Sequence, residues 1–439
     1  MQFNEPTFLL LFLPVLLLAY YALPPLRNSL LLIASLIFCF WGGKQTIGVL
    51  LLALAFNYAL GLVVSKRRGL LIVGVTGNLL LLIWCKYAVF LNLPLPKIPS
   101  PPGLSFFTFV AIAYLVDIYR GDAQPLRHPF AAGNYFLFFS KFFAGPIVRY
   151  RDIGAQMLQR EHTLDLFALG VRRFIIGLGK KVLVATTVGD VVDKIFALPQ
   201  NALSADLAWL GVIAYTVQIY FDFSGYTDMA IGLGAMFGFK FPENFDYPYI
   251  STSIREFWRR WHMTLSGWLR DYLYIPLGGS RCSTWRVYFN LIFIFLVCGF
   301  WHGASWTYIV WGGLQGLFLL AERLTGNKDL PRPIGHGYAL LATMVSWVFF
   351  RATSLTQATG YLGAMFGLNH VTGVADGIPA FLDPFTTLML VVGILGAFPI
   401  IPRLKFREPV ATVGYAVVLG FVLVVVAVKT YTPFIYQQF

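Results

Sequence analysis

Charge is what this chain most lacks. Asp, Glu, Lys and Arg together make up 12% of its 439 residues, against 58% hydrophobic. With a mean hydropathy of +0.70, that composition excludes a soluble globular protein. Cysteine is sparse too: Cys39, Cys85, Cys282 and Cys298 are scattered without C-x-x-C spacing. Neither a disulfide framework nor a zinc site is indicated, and no metal is expected. Cys298 and His302, four apart, could form a nucleophile pair, but a small apolar cysteine in a helix is the commoner use. Met1–Tyr21 has no basic leader and no small-residue cleavage site, so it reads as a first span rather than a removed signal peptide. Gly232, Gly234 and Gly238 lack the G-x-G-x-x-G spacing of a nucleotide loop, and no strand precedes them. Their spacing predicts close helix packing instead. Acidic residues number 20 against 33 Lys and Arg, a net charge of +13. The positive residues flank apolar spans, as in cytoplasmic loops, so no nucleic-acid partner is expected.

Apolar runs long enough to cross a bilayer recur from end to end. The sequence predicts an all-α polytopic membrane protein of roughly ten to twelve spanning helices plus re-entrant and interfacial helices. It reads as a single membrane-embedded domain over 1–439. N-terminal spans occupy 1–129, a core with re-entrant and interfacial helices 130–324, and C-terminal spans 325–439. The denser basic loops, at Arg27, Lys66–Arg68, and Arg120 with Arg127, mark the cytoplasm and put the N-terminus outside. Phe130–Val148 is apolar but interrupted by Gly133, Lys141 and Gly145-Pro146, which suits a re-entrant or cavity-lining segment.

Two stretches carry chemistry. Ser251–Arg281 holds five arginines, three tryptophans and His262. Read as a helix, it places Trp258, Trp261, Leu265, Trp268 and Tyr272 on one face. Arg255, Arg259, His262, Ser266 and Arg270 form a stripe on the other. Ser253 with Glu256 fits a capping box at its start. A plain interfacial anchor would show the same two faces, arginines toward lipid phosphates and tryptophans in the aromatic belt.

The second stretch surrounds His302. No Asp, Glu, Lys or Arg occurs between Arg286 and Glu322. One helix over that gap would reach about 50 Å, beyond a hydrocarbon core of about 30 Å. The run must project or break, and Gly299, Gly303, Ala304 and Ser305 mark the place for a break. With Arg286 at one interface, His302 lies about 24 Å along the helix, below the opposite surface. An ionisable group at that depth is either functional or a neutral histidine hydrogen-bonded between helices. Tyr215, Gln218, Asp222 and Tyr226 form a further polar stripe, which either glues helices together or lines a watery path. With Lys141, that stripe leaves open a transporter without chemistry.

The block Trp258-Arg-Arg-Trp-His262 with Trp268-Leu-Arg-Asp-Tyr272, and the block Gly299-Phe-Trp-His302-Gly303, resemble the marker blocks of the membrane-bound O-acyltransferases. Other segments are similar to the bacterial branch that O-acetylates alginate. They are Arg27–Ser35, Leu104–Phe109, Asp117–Asp122, Ala144–Pro146, Tyr220–Leu233, Glu243–Phe245 and Pro433–Tyr436. The resemblance implies helices around a central cavity in a bacterial inner membrane. It implies an enzyme that moves an acetyl group from a cytoplasmic thioester, acetyl-CoA or an acyl carrier protein, with no bound cofactor. The acceptor would be a hydroxyl of an exported polysaccharide or of a periplasmic SGNH-type partner. D-alanyl, peptidoglycan and cellulose acylating members, and acylation of lipid, are alternatives. The family's buried histidine falls on His302 and its second histidine on His262.

Acyl transfer needs a base for the hydroxyl proton and stabilisation of an oxyanion. His302 is expected to be the base. His262 would orient the donor or stabilise charge. Arg255, Arg259, Arg260 and Arg270 are expected to bind donor phosphates, and Trp258, Asp222 and Gln218 are further expected substrate-binding residues.

Overall fold

The computed structural model describes residues 1–44, 46–326, 330–369, 371, 377–400 and 408–428. The Pro433–Tyr436 motif lies outside them. Among the described residues, six helices are long and apolar enough to cross a membrane, and three shorter apolar ones accompany them. No strand occurs among the described residues. Packing divides the chain into two compact units.

The first unit comprises Met1–Leu178 and Tyr226–Glu243, with the described residues from Leu423 on. Its helices are α1 (Phe8–Ala22), α2 (Pro24–Gly42), α3 (Ile47–Val63) and α4 (Arg68–Tyr87), followed by α5 (Leu104–Arg120), α6 (Pro129–Leu137) and α7 (Leu164–Gly179). Apolar surface cannot hold helices together in lipid as it does in water, so polar pairs and small residues take over. Asn57 on α3 and Asn78 on α4 exchange amide hydrogen bonds of 3.0 and 2.7 Å, both fully buried. Ser35 accepts the backbone N–H of Phe139 at 3.1 Å. The Phe130–Val148 segment is two short helices, Pro129–Leu137 and Phe139–Phe142, buried over most of its length. Lys141 inside it donates to the Tyr135 carbonyl at 2.6 Å. Gly232 packs as its spacing predicts: a Cβ there would lie 2.6 Å from the Gly170 carbonyl. Gly238 differs, because its φ of +85° turns the chain after the helix.

The second unit comprises Gly179–Gly225 and Asn244–Val422. Its helices begin with α8 (Thr186–Phe196) and the first part of α9 (Ala205–Met236). Two short helices follow, α10 (Ile254–Arg260) and α11 (Met263–Leu269). The rest are α12 (Thr284–His302), α13 (Trp306–Leu324), α14 (Arg332–Arg351), α15 (Leu355–Met365), α16 (Pro384–Gly396) and the part of α17 (Glu408–Val428) up to Val422. The uncharged run breaks where the glycines predict, immediately after His302. The resulting hairpin of α12 and α13 is tight because Gly299 faces the Tyr308 carbonyl and Gly312 the Phe295 carbonyl. A side chain at either position would occupy the partner backbone.

The Ser253–Tyr272 stretch departs from its expectation. The capping box forms, with Ser253 accepting from Glu256 N–H and the Glu256 carboxylate accepting from Thr252. The helix then stops at Arg260. Trp261 is extended (ψ 129°) and His262 takes the left-handed region at φ 43°, ψ 53°. No glycine or proline causes this. An extended segment inserts instead: Asp246 N–H donates to the Arg260 carbonyl, and Met263 N–H to the Asn244 carbonyl, both at 2.9 Å. The predicted continuous stripes therefore do not exist. Trp258, Trp261, Leu265 and Trp268 are all buried core rather than an aromatic belt, which removes the interfacial-anchor reading.

Candidate active site

Both histidines lie in the second unit. His262 is fully buried in the break between α10 and α11. Its ring meets Phe223 edge to face at 4.7 Å. Nδ1 lies 3.0 Å from Asn244 Oδ1. That oxygen also accepts Thr264 N–H at 3.2 Å and the Thr264 hydroxyl at 2.8 Å. A backbone N–H can only donate, so the Asn244 atom is the carbonyl oxygen, and the imidazole must carry its proton on Nδ1. Nε2 is then a lone pair, buried and without a hydrogen-bond partner among the described residues. Burial pushes this imidazole down, to about 3, so it is neutral at physiological pH. A non-glycine residue in the left-handed region is strained locally, and the bonds to Asn244 from His262 Nδ1–H, Met263 N–H and Thr264 hold the segment there.

His302 ends α12 and is 4% exposed. Trp311 on α13 meets its ring at 5.0 Å and Phe350 on α14 at 5.3 Å, both edge to face. It is enclosed by the protein rather than facing outward. Aromatic contacts join the two sites. Trp311 stacks on Trp347 at 6.1 Å, and Trp347 lies 5.0 Å from Trp261, the neighbour of His262.

The remaining expected residues divide. Trp258 is buried, its indole N–H donating to Gln315 Oε1 at 2.9 Å, so it ties α10 to α13 and faces no solvent. Glu322 reinforces that joint by accepting the first N–H groups of α10, Ile254 and Arg255. Arg260 is neutralised by Glu256 (3.0 Å) and Asp246 (2.7 Å), and Arg270 by Asp271 (2.7 Å). Arg255 is half-buried. Arg259 is exposed, with no ion pair among the described residues. Asp222 forms a buried ion pair with Lys181 at 2.5 Å. Gln218 packs against Gly189, and its Oε1 is buried without a partner among the described residues. The structure thus brings His262 and His302 into one aromatic core and leaves Arg259 exposed, without an ion pair among the described residues. Asn244, bonded to His262, and Trp311, in contact with His302, are residues the sequence did not single out. Asn244 stood within the quoted Glu243-Asn-Phe245 segment, but a side-chain amide has no periodicity that reveals its partner.

A family model described as MBOAT, membrane-bound O-acyltransferase family, matches residues 104–327. The chain belongs to the membrane-bound O-acyltransferase family. As a member it is an O-acyltransferase embedded in a membrane, and both histidine blocks fall inside the matched interval. It is 44% identical over 398 residues to the "Probable alginate O-acetylase" of Azotobacter vinelandii, covering 85% of this chain and 79% of that one. It is 38% identical over 426 residues to a peptidoglycan O-acetyltransferase of Helicobacter pylori, covering 84% and 80%. Similarity to a teichoic acid D-alanyltransferase of Streptococcus thermophilus is 32% over 252 residues, 52% of this chain and 59% of that one.

Proposed function

We propose that this O-acyltransferase sits in a bacterial inner membrane and takes an acetyl group from a cytoplasmic thioester. It delivers the group to a hydroxyl of an exported, alginate-like polysaccharide or of a periplasmic SGNH-type partner. The observation that carries this choice of acceptor is the 44% identity to an alginate O-acetylase across 85% of the chain. The D-alanyltransferase likeness reaches only 52% of it.

In the proposed mechanism His302 takes the acceptor's hydroxyl proton as general base, a step worth about 10²- to 10⁴-fold. His262 does not stabilise negative charge: with its proton committed to Asn244, Nε2 can only accept. We assign it to orient the donor, by accepting an amide N–H of the phosphopantetheine arm common to acetyl-CoA and acyl carrier protein. Arg259, exposed and without an ion pair among the described residues, is an arginine available for donor phosphate. Gln218 Oε1, a buried acceptor without a partner among the described residues, suits a substrate hydroxyl. The transporter reading loses its charged path, because Asp222 is closed by Lys181 and Lys141 by the Tyr135 carbonyl.

The test is purified protein in liposomes given acetyl-CoA and alginate oligosaccharide. Thiol release that depends on the oligosaccharide, with acetyl ester on its hydroxyls, supports the reading. Thiol release that depends on muropeptide alone moves the acceptor to peptidoglycan, as in the Helicobacter relative. No thiol release with any acceptor refutes it.

A further inference from the structure

Beside His302, Trp311 carries a donor that no described residue accepts. Thr307, Trp311 and Gln315 recur at four-residue spacing on the buried face of α13. Two of the three are satisfied: Thr307 contacts Ser305 Oγ at 3.0 Å, and Gln315 accepts from Trp258. Trp311 is 1% exposed, and its Nε1–H has no acceptor among the described residues. A buried indole N–H ordinarily finds a partner, because burial removes its bond to water and only a protein acceptor replaces it. Among the buried polar atoms without a partner, this one belongs to the ring in contact with His302. The indole is also rigidly held, stacked on Trp347 at an interplanar angle of 10° and edge-on to Phe350 at 5.0 Å and Trp258 at 6.0 Å. A fixed donor in an apolar, water-excluding shell is what stabilisation of developing negative charge requires.

We propose that the Trp311 Nε1–H is the oxyanion donor of the acyl-transfer step. The inference rests on the reading of His302 as base. The acceptor oxygen forms a bond to the thioester carbonyl carbon while its proton passes to the His302 imidazole. The carbonyl π pair moves onto oxygen, where the Trp311 N–H meets it. Collapse restores the carbonyl and breaks the carbon–sulfur bond. The departing sulfur takes the proton back from the imidazolium, leaving an ester, a free thiol and neutral His302. Trp311 is thus a further catalytic residue, acting by hydrogen bonding alone.

The experiment compares the full-length protein in liposomes with two variants. One is Trp311→Phe. In the other, site-specific incorporation puts 3-benzothienylalanine at 311, which keeps the bicyclic shape and replaces N–H by sulfur. Removal of one oxyanion donor lowers kcat by about 10²- to 10³-fold. Both variants should show that loss with the thioester KM within a few-fold of wild type, and the isostere should melt like wild type. If Trp311→Phe does not accumulate in membranes, the isostere alone decides. An isostere with wild-type kcat overturns the inference, as does a loss confined to KM. Absence of turnover by the wild type overturns the acyltransferase reading as well, which separates the two failures.

Discussion

Replacing Asn244 with alanine is the sharpest perturbation of the His262 site. One oxygen of that side chain accepts three donors: His262 Nδ1–H at 3.0 Å, Thr264 N–H at 3.2 Å and Thr264 Oγ1–H at 2.8 Å. His262 is fully buried and Thr264 8% exposed, so water does not readily replace the lost acceptor. Each buried group left unpaired costs about 1–3 kcal/mol, and relaxation recovers part of the sum, so a loss of about 3–5 kcal/mol in stability is expected. The imidazole also loses the bond that fixes its tautomer. If that bond positions Nε2 with about 1–3 kcal/mol, kcat/KM for the thioester should fall about 5- to 150-fold. Asn244→Asp separates the two effects. It keeps the acceptor oxygens but places a negative charge beside the ring, raising the imidazole from its depressed position near 3. The charged form carries protons on both nitrogens and has no lone pair at Nε2. Activity of Asn244→Asp should therefore be lost at low pH and recover as pH rises through the elevated value. The assay is thiol release in liposomes across pH, alongside thermal melting in detergent. Asn244→Ala within threefold of wild-type kcat/KM, with unchanged melting, would refute the assignment.

Three further outcomes are expected. Arg259→Glu should raise the KM for acetyl-CoA by tenfold or more, while Arg270→Glu, whose guanidinium already faces Asp271, should change it much less; this is read from initial rates. Lys181→Met should lower stability by about 3–5 kcal/mol by leaving Asp222 charged and buried, and the double variant Lys181→Met/Asp222→Leu should regain most of it. Equal melting of the single and double variants would show that the pair is not coupled. Gly299→Val should force the α12–α13 hairpin apart at the Tyr308 carbonyl, costing about 3 kcal/mol. A melting temperature like wild type's would contradict the close packing.

Much of this was legible in the sequence, because it depends on local pattern. The span-like runs, the capping box at Ser253 and the break after His302 follow from apolar length, an N-cap residue and paired glycines. The break at Trp261-His262 was not legible. Its sequence is helix-competent throughout, and its cause is a set of hydrogen bonds from Asn244 and Asp246, far back in the chain. Periodicity then misassigned the tryptophans, since a row that looks like an interfacial belt equally fits a core buried on all sides. The arginine stripe failed for a related reason. Which cations stay unneutralised is decided by carboxylates such as Asp246 that no helical wheel displays. Asn244 and Trp311 matter through single atoms, and a single atom's pairing appears only when the chain is folded.

The account turns on His302 as the base in a protein-enclosed acyl-transfer site. Its most direct test is His302→Ala in liposomes, assayed for acceptor-dependent thiol release with membrane level and melting measured in parallel. The predicted result is a drop of at least about 10²-fold at normal membrane level and with melting close to wild type. Turnover within a few-fold of wild type by that variant would remove His302 from the chemistry and contradict the mechanism.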